Sequence, residues 1–184
     1  DYGFHSELPR WEPSEQFRRR SILARSRNFL LSHALRDEDW VLWIDADVAR
    51  WPPDVIQQLL AARKDIVVPN CLALGKKDTF DLNTFKFKPG VEDMDWRPYL
   101  RDGLLQPPKG LGRQYLSDLR QHQEIEVDAV GGTMLLIRAD IHREGLIFPP
   151  FAYNMYIETE GLAFMARDMG YQCWGLPNLE IFHP

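Results

Sequence analysis

The sequence predicts an α/β fold, a mostly parallel sheet flanked by helices, on three observations. Trp40-Val41-Leu42-Trp43-Ile44 is an apolar, β-prone run of strand length that stops at Asp45. Pro52-Pro53-Asp54 opens a helical pattern, and Asp65-Ile66-Val67-Val68-Pro69 is a second apolar run. Strand, helix and strand with short joints make a βαβ unit, and such units build parallel sheets.

The other elements follow in order. Residues 1–17 carry Pro9 and Pro13 and lack any strand pattern, so they read as an irregular arm. From residue 14 or 21 to residue 35, Ile22, Leu23, Leu30, Leu31, Ala34 and Leu35 recur at three- and four-residue spacing, which puts them on one helix face. In the second helix Val55, Ile56, Leu59 and Leu60 form the apolar face, and Arg63-Lys64 meet the negative end of the helix dipole. Residues 71–124 lose periodicity and gain Lys, Gly, Pro and isolated aromatics, the mark of long ordered loops that tend to carry function. Pattern returns at 125–130 and 133–137 about a Gly131-Gly132 break, then in a short helix at 139–144. A last helix at 158–169 is closed by Gly170, and strands follow near 172–175 and 179–182.

At 184 residues, 45% hydrophobic and 27% charged, the chain suits one domain over 1–184. A net charge of -5 argues against a nucleic-acid partner, which demands a basic face. Cys71 and Cys173, far apart in apolar surroundings, read as core residues rather than a disulfide framework. No run approaches the ~20 apolar residues that span a bilayer, so the chain as given is expected to be soluble.

The sharpest chemical signal is Asp45-Ala46-Asp47. In extended chain residues i and i+2 share a side, so two hard oxygen ligands meet at a strand end. Such a pair suits Mg²⁺ or Mn²⁺ held jointly with a diphosphate, because these ions take few protein ligands and fill the rest from phosphate and water. The competing reading is a pair of turn caps before the next helix. His183 also ends a short apolar strand, and neutral imidazole suits Mn²⁺-like ions; the alternative is a surface or satisfied histidine. Arg25, Arg27 and Asn28 sit on the first helix, where an Arg fork would grip phosphate or simply face solvent. Glu158 and Glu160 open the last helix. Carboxylates are favoured there by the dipole alone, yet an acid pair is also what glycosyl transfer uses to position a hydroxyl. Trp96, Tyr99 and Tyr115 would stack on sugar rings or fill the core.

In combination these segments resemble GT-A glycosyltransferases, and more narrowly family 62, the fungal-type mannan polymerase mannosyltransferases. The resemblance covers roughly residues 18–183. It is carried by Arg19 to Asn28, by Trp40 to Val48 with its DxD motif, by Lys64 to Asn70, and by Val130-Gly131-Gly132-Thr133. His142 to Gly145, Ile157 to Gly161 with Gly170-Tyr171, and Gly175 to Asn178 complete it. It implies Mn²⁺ at Asp45, Asp47 and His183, GDP-mannose as donor, a mannose-containing glycan as acceptor, and transfer with retention. It also places Arg27 and Asn28 beside the donor, with Arg25 and Asp45 as further donor contacts, and makes Glu160 and Glu158 the candidate catalytic residues. Aligned on Arg167 and Gly170-Tyr171, Gly161 stands where inverting members carry their aspartate base, which is consistent with a retaining enzyme. A GT-A domain opens with a βαβ segment that holds the nucleotide base; nothing before Arg18 supplies it, so the expectation is either a fragment or an unusually short member. The family implies a Golgi-lumenal catalytic portion of a membrane-anchored protein, with partner subunits of a transferase complex. The alternatives are a GT-A transferase for another nucleotide sugar, a non-catalytic glycan-binding subunit, or a metal-dependent hydrolase.

Overall fold

The computed structural model describes residues 7–9 and 12–184. Its elements in chain order are α1 (Gln16–Ala34), β1 (Trp40–Ile44), α2 (Val55–Ala61), β2 (Ile66–Ala73), β3 (Lys86–Phe87), β4 (Leu100–Arg101) and β5 (Leu104–Leu105). There follow β6 (Arg113–Gln114), β7 (Ile125–Val127), β8 (Met134–Arg138), α3 (Ala139–Arg143), α4 (Glu158–Asp168) and β9 (Cys173–His183). Of the expected arm, Pro13–Glu15 forms a 3-10 turn that leads directly into α1; positions 1–6, 10 and 11 lie outside the described residues.

The sheet corrects one expectation. Its strand order is β1-β8-β2-β9-β7, and only β2 and β9 are parallel neighbours; β1·β8, β8·β2 and β9·β7 are antiparallel. The sheet is therefore mixed, not mostly parallel. β1 and β2 do run in the same sense, as a βαβ unit requires, because both oppose β8. Residues 128–133 carry the chain from the edge strand β7 back to the gap between them, so β8 enters reversed. The two strands expected at the C-terminal end are one strand. β9 follows β2 along its whole length, with a register shift opposite Pro69/Asn70 that accommodates residues 177–179. There the Asn70 side-chain amide donates to the Pro177 carbonyl at 3.0 Å, so the irregularity leaves no orphaned group at that point.

Alternation along the strands builds two apolar layers. On β8, Leu135 and Ile137 join the layer under α1, α3 and α4, with Phe85, Phe148 and Tyr156; Met134 and Leu136 join Val55 and Leu59 of α2 on the opposite face. Cys71 and Cys173 are buried free thiols, and burial pushes both up to about 12, as suits core residues. Segment 71–124 is more structured than its composition suggests. Its first residues complete β2, and the rest is braced by the two-stranded ladders β3·β6 and β4·β5. Trp96 and Tyr99 pack against the first apolar layer and Tyr115 lies inside it, so core packing prevails over sugar stacking for these three. The Trp96 indole N–H donates to the Val91 carbonyl at 3.1 Å.

α1 is the second correction. Its inward line is Arg20, Ala24, Arg27, Asn28 and Leu31, whereas Leu30 of the apolar stripe is 53% exposed. The helix packs a largely polar face inward because its partners there are carboxylates and a backbone segment. The Asn28 side chain both donates to the Phe148 carbonyl (2.7 Å) and accepts from the Phe148 N–H (2.9 Å).

Candidate functional site

β1 ends because Asp45 N–H still bonds Thr133 O at 3.0 Å while Val48 N–H turns back onto Asp45 O at 3.2 Å. Ala49 N–H then reaches Phe182 O at 2.8 Å, so the chain leaving β1 is laced to the end of β9. That lacing brings Asp47 beside His183, across 3.1 Å from Oδ1 to Nε2. Phe80 stacks on the His183 ring at 3.8 Å and fixes its plane. The Nδ1 position faces the Pro184 carbonyl at 3.0 Å, which only an N–H satisfies. With Nδ1 so engaged, Nε2 is the ring atom turned to the Asp47 carboxylate, which brings together an imidazole nitrogen and a carboxylate oxygen, two donor types that a divalent cation takes.

These residues open on a cleft of about 790 Å³, a size that takes a nucleotide-sized ligand. Asp45, Asp47 and His183 form one side; Arg20 and Arg27 of α1, Glu158 and Thr159 at the start of α4, and Phe80, Asp81 and Asn83 complete it. Behind the cleft runs a buried ionic chain. Arg20 donates to Glu158 (3.1 Å), to Glu160 (2.6 Å) and to the Ile157 carbonyl (3.0 Å). Arg27 bonds Glu158 with one nitrogen and Asp45 with the other, the latter at 3.1 Å. Arg113 closes the chain on Glu160 at 3.3 Å. Burial holds the Arg27 guanidinium below its ordinary range, against the pull of Asp45 and Asp81. Burial likewise pushes the Asp45 carboxyl up, opposed by Arg27 and reinforced by Asp47.

The sequence-derived residues are placed unequally. Asp45, Asp47, His183, Arg27 and Glu158 meet at the cleft. Glu160, 3% exposed, does not line it and is tied to Arg20 and Arg113 behind the wall. Arg25 is exposed on another side of α1, and Asn28 is occupied with the Phe148 backbone. Glu158 adopts φ +58°, a left-handed conformation that costs a non-glycine residue about 1–3 kcal/mol and tends to cluster at functional sites.

Five participants had no strong individual sequence signal. Arg20 is the last of three consecutive arginines, Arg18-Arg19-Arg20, and nothing local singles it out. Asp81 comes from the aperiodic segment and is buried; it accepts from the Thr133 hydroxyl at 2.9 Å and from Asn83 N–H at 3.0 Å, and burial pushes its carboxyl up. Gly131 and Gly132 supply the space for this arrangement. A Cβ on Gly131 would lie 1.7 Å from the Asp81 carboxylate, and one on Gly132 would lie 2.4 Å from the Arg27 guanidinium. Thr159 presents a buried hydroxyl that has no hydrogen-bond partner among the described residues.

Two carboxylates and an imidazole fit a divalent cation of the Mn²⁺ or Mg²⁺ kind by donor type. As they stand, Asp45 is turned to Arg27 and Asp47 to His183, and no group of three or more acidic, histidine or cysteine side chains converges on one point among the described residues. Arg27 engages only Oδ1 of Asp45, whose side chain is 41% exposed, so a cation there would share this carboxylate with the guanidinium or displace it.

Residues 5–152 match the Anp1 family model. Similar proteins include the Mannan polymerase complex subunit mnn9 of Schizosaccharomyces pombe, 35% identical over 97% of this chain and 56% of that protein. The Mannan polymerase II complex anp1 subunit of the same organism is 33% identical over 99% of this chain and 43% of its own length. The Mannan polymerase I complex VAN1 subunit of Saccharomyces cerevisiae is 33% identical over 90% of this chain and 33% of its own. The chain thus spans from a third to just over half of these relatives.

Proposed function

Since the chain belongs to the Anp1 family, we propose that it is the GT-A-like catalytic core of a retaining glycosyltransferase that moves mannose from GDP-mannose to a mannose-containing glycan, with Mn²⁺ as its cation. The observation that carries this reading is the meeting of Asp45, Asp47 and His183 at the mouth of a 790 Å³ cleft. In this reading Asp45, Asp47 and His183 hold the cation, which would neutralise the diphosphate and help it depart. Arg27, released from Asp45, turns its fork to the diphosphate, as guanidinium groups bind phosphate oxygens in pairs. The unpartnered Thr159 hydroxyl supplies a hydrogen bond to a sugar hydroxyl. Glu158, tethered by two arginines, keeps a carboxylate at the cleft for the acceptor, whereas Glu160 acts through Arg20 and Arg113 as a positioning residue. The relatives' names support membership of a multi-subunit complex. A Golgi-lumenal setting belongs to the same proposal. No helix among the described residues is long and apolar enough to cross a membrane.

Calorimetric titration of GDP, UDP and their sugars, with and without Mn²⁺, tests the donor. The expected result is Mn²⁺-dependent binding of GDP and GDP-mannose at least tenfold tighter than that of the uridine compounds, a gap of about 1.4 kcal/mol or more; equal UDP affinity argues for another nucleotide sugar. A second reading, a non-catalytic glycan-binding subunit, is favoured by the Asp45–Arg27 pairing, which sets a guanidinium against one oxygen of the carboxylate a cation needs. It predicts that mannose transfer persists in the assembled complex when Asp45 and Asp47 are removed.

Gly132→Ala probes the Arg27 seat separately. Its methyl group displaces the flexible end of Arg27 rather than backbone, so the expected cost in stability is below about 2 kcal/mol. Donor binding is expected to fall about tenfold, the worth of a charge-assisted hydrogen bond. Thermal melting and the same titration read the two effects apart.

A further inference from the structure

Phe182 and His183 are neighbours on β9, so their side chains point to opposite faces of the sheet. His183 faces Asp47. Phe182 faces the segment that leaves Asp47, to which it is laced by Phe182 N–H to Arg50 O at 2.8 Å. Phe182 borders a second cleft of about 390 Å³ that shares no lining residue with the first, and its working surface is Arg50, Trp51, Gln58, Asn178, Glu180 and Phe182.

The chemistry of this cleft is specific in three respects. Trp51 is 43% exposed and presents a large flat apolar surface to solvent. The Arg50 guanidinium lies over the Phe182 ring, 4.2 Å from its centroid, which orients the fork without forming an ion pair among the described residues. Around them the polar side chains are anchored by one atom and open at another. The Gln58 amide nitrogen donates to Asp54 at 2.9 Å, and that of Asn178 to the Arg120 and His122 carbonyls at 3.1 and 3.0 Å. Glu180 is held at one oxygen by Arg120 at 2.6 Å. What remains is a set of positioned acceptor oxygens and one forked donor beside an indole.

We propose that this cleft is a carbohydrate subsite that binds a neutral pyranose of an oligosaccharide. A pyranose offers an apolar C–H face to Trp51, and its hydroxyls donate to the open oxygens of Glu180, Asn178 and Gln58 while accepting from Arg50. Neutrality follows from the balance of charge: Glu180 opposes an anionic ligand and Arg50 a cationic one. Assigning the sugar to the acceptor rests on the glycosyltransferase reading above; the binding itself does not. On that reading, a site behind the strand end that carries His183 holds units of the glycan distant from the transfer point.

The test is titration of an α-linked mannose oligosaccharide, followed by tryptophan fluorescence and calorimetry, with no nucleotide and no divalent cation present. Wild type and Asp47→Ala are expected to bind alike. Trp51→Ala is expected to bind about tenfold more weakly, and Arg50→Ala several-fold, with unchanged circular dichroism because both side chains are on the surface. Equal affinity in wild type, Trp51→Ala and Arg50→Ala overturns the subsite, as does a wild type that binds no oligosaccharide, which would leave Trp51 to a protein partner. A wild type that binds the oligosaccharide but shows no Mn²⁺-dependent GDP binding would defeat the transferase reading and leave the subsite standing.

Discussion

Asp47→Ala is expected to abolish cation-dependent binding of GDP, with a loss of at least a hundredfold and no change in the fold. Asp47 is an exposed residue in a turn, so its removal costs the native state little, within about 0.5 kcal/mol as for most surface changes. Its effect on a cation is disproportionate because of the company it keeps. Asp45 already answers Arg27, and desolvation raises its carboxyl from the ordinary range. A doubly charged ion at Asp45 alone would share that carboxylate with the Arg27 guanidinium, with no second anion to offset the repulsion between the two cations. With Asp47 present, the like-charge repulsion between the two carboxylates is relieved by the ion, and His183 joins them. Substitutions outside a metal's direct ligands commonly cost 10–100-fold in affinity, so loss of a direct ligand should exceed that. The measurement is calorimetric titration of Mn²⁺ and GDP, with thermal melting as control. Unchanged Mn²⁺-dependent binding in Asp47→Ala would detach the cation from this carboxylate pair.

The parts of this site that were legible in the sequence are those whose signal is local. An apolar strand stopping at Asp45 announces a strand end, and a period-two spacing puts Asp47 on the same side. The Pro-Pro start of α2 and the acidic start of α4 are equally local. Strand direction is not: Met134–Arg138 reads the same either way up, and only the path of residues 128–133 across the sheet decides that β8 runs antiparallel to both neighbours. The apolar stripe on α1 misled for a related reason. Arg20 and Arg27 face inward because Glu158 and Glu160 wait more than 130 residues away in sequence, a pairing that no window on the helix contains. Asp81 was invisible because its place depends on Thr133 and on the space left by Gly131, about 50 residues away, and the local turn to Asn83 does not mark it out.

That long-range ionic chain sets the second large effect. Glu160→Ala is expected to destabilise the fold by about 3–5 kcal/mol, the usual cost of leaving a buried charge without its partner. Arg113 is 7% exposed, and among the described residues Glu160 is the carboxylate its guanidinium reaches, while Nε and Nη2 are buried with no hydrogen-bond partner. Its remaining contacts are aromatic, the ring of Phe85 at 3.9 Å from centroid to guanidinium carbon and that of Tyr156 at 5.9 Å. Such a cation–π contact contributes only about 2 kcal/mol when desolvated and does not replace a carboxylate. Arg20 would fare better, because Glu158 and the Ile157 carbonyl still accept from it. The variant should therefore melt on the order of 10 °C lower, given that 1 kcal/mol shifts the midpoint of a chain of this size by roughly 2–4 °C. Glu160→Ala combined with Arg113→Met, which replaces the stranded cation by an apolar chain of similar length, should recover much of that loss. Recovery marks Glu160 as a charge partner of Arg113 inside the wall. If the double variant is as unstable as the single one, Glu160 contributes through Arg20 and the start of α4 instead, and the cleft wall rather than the core sets its cost.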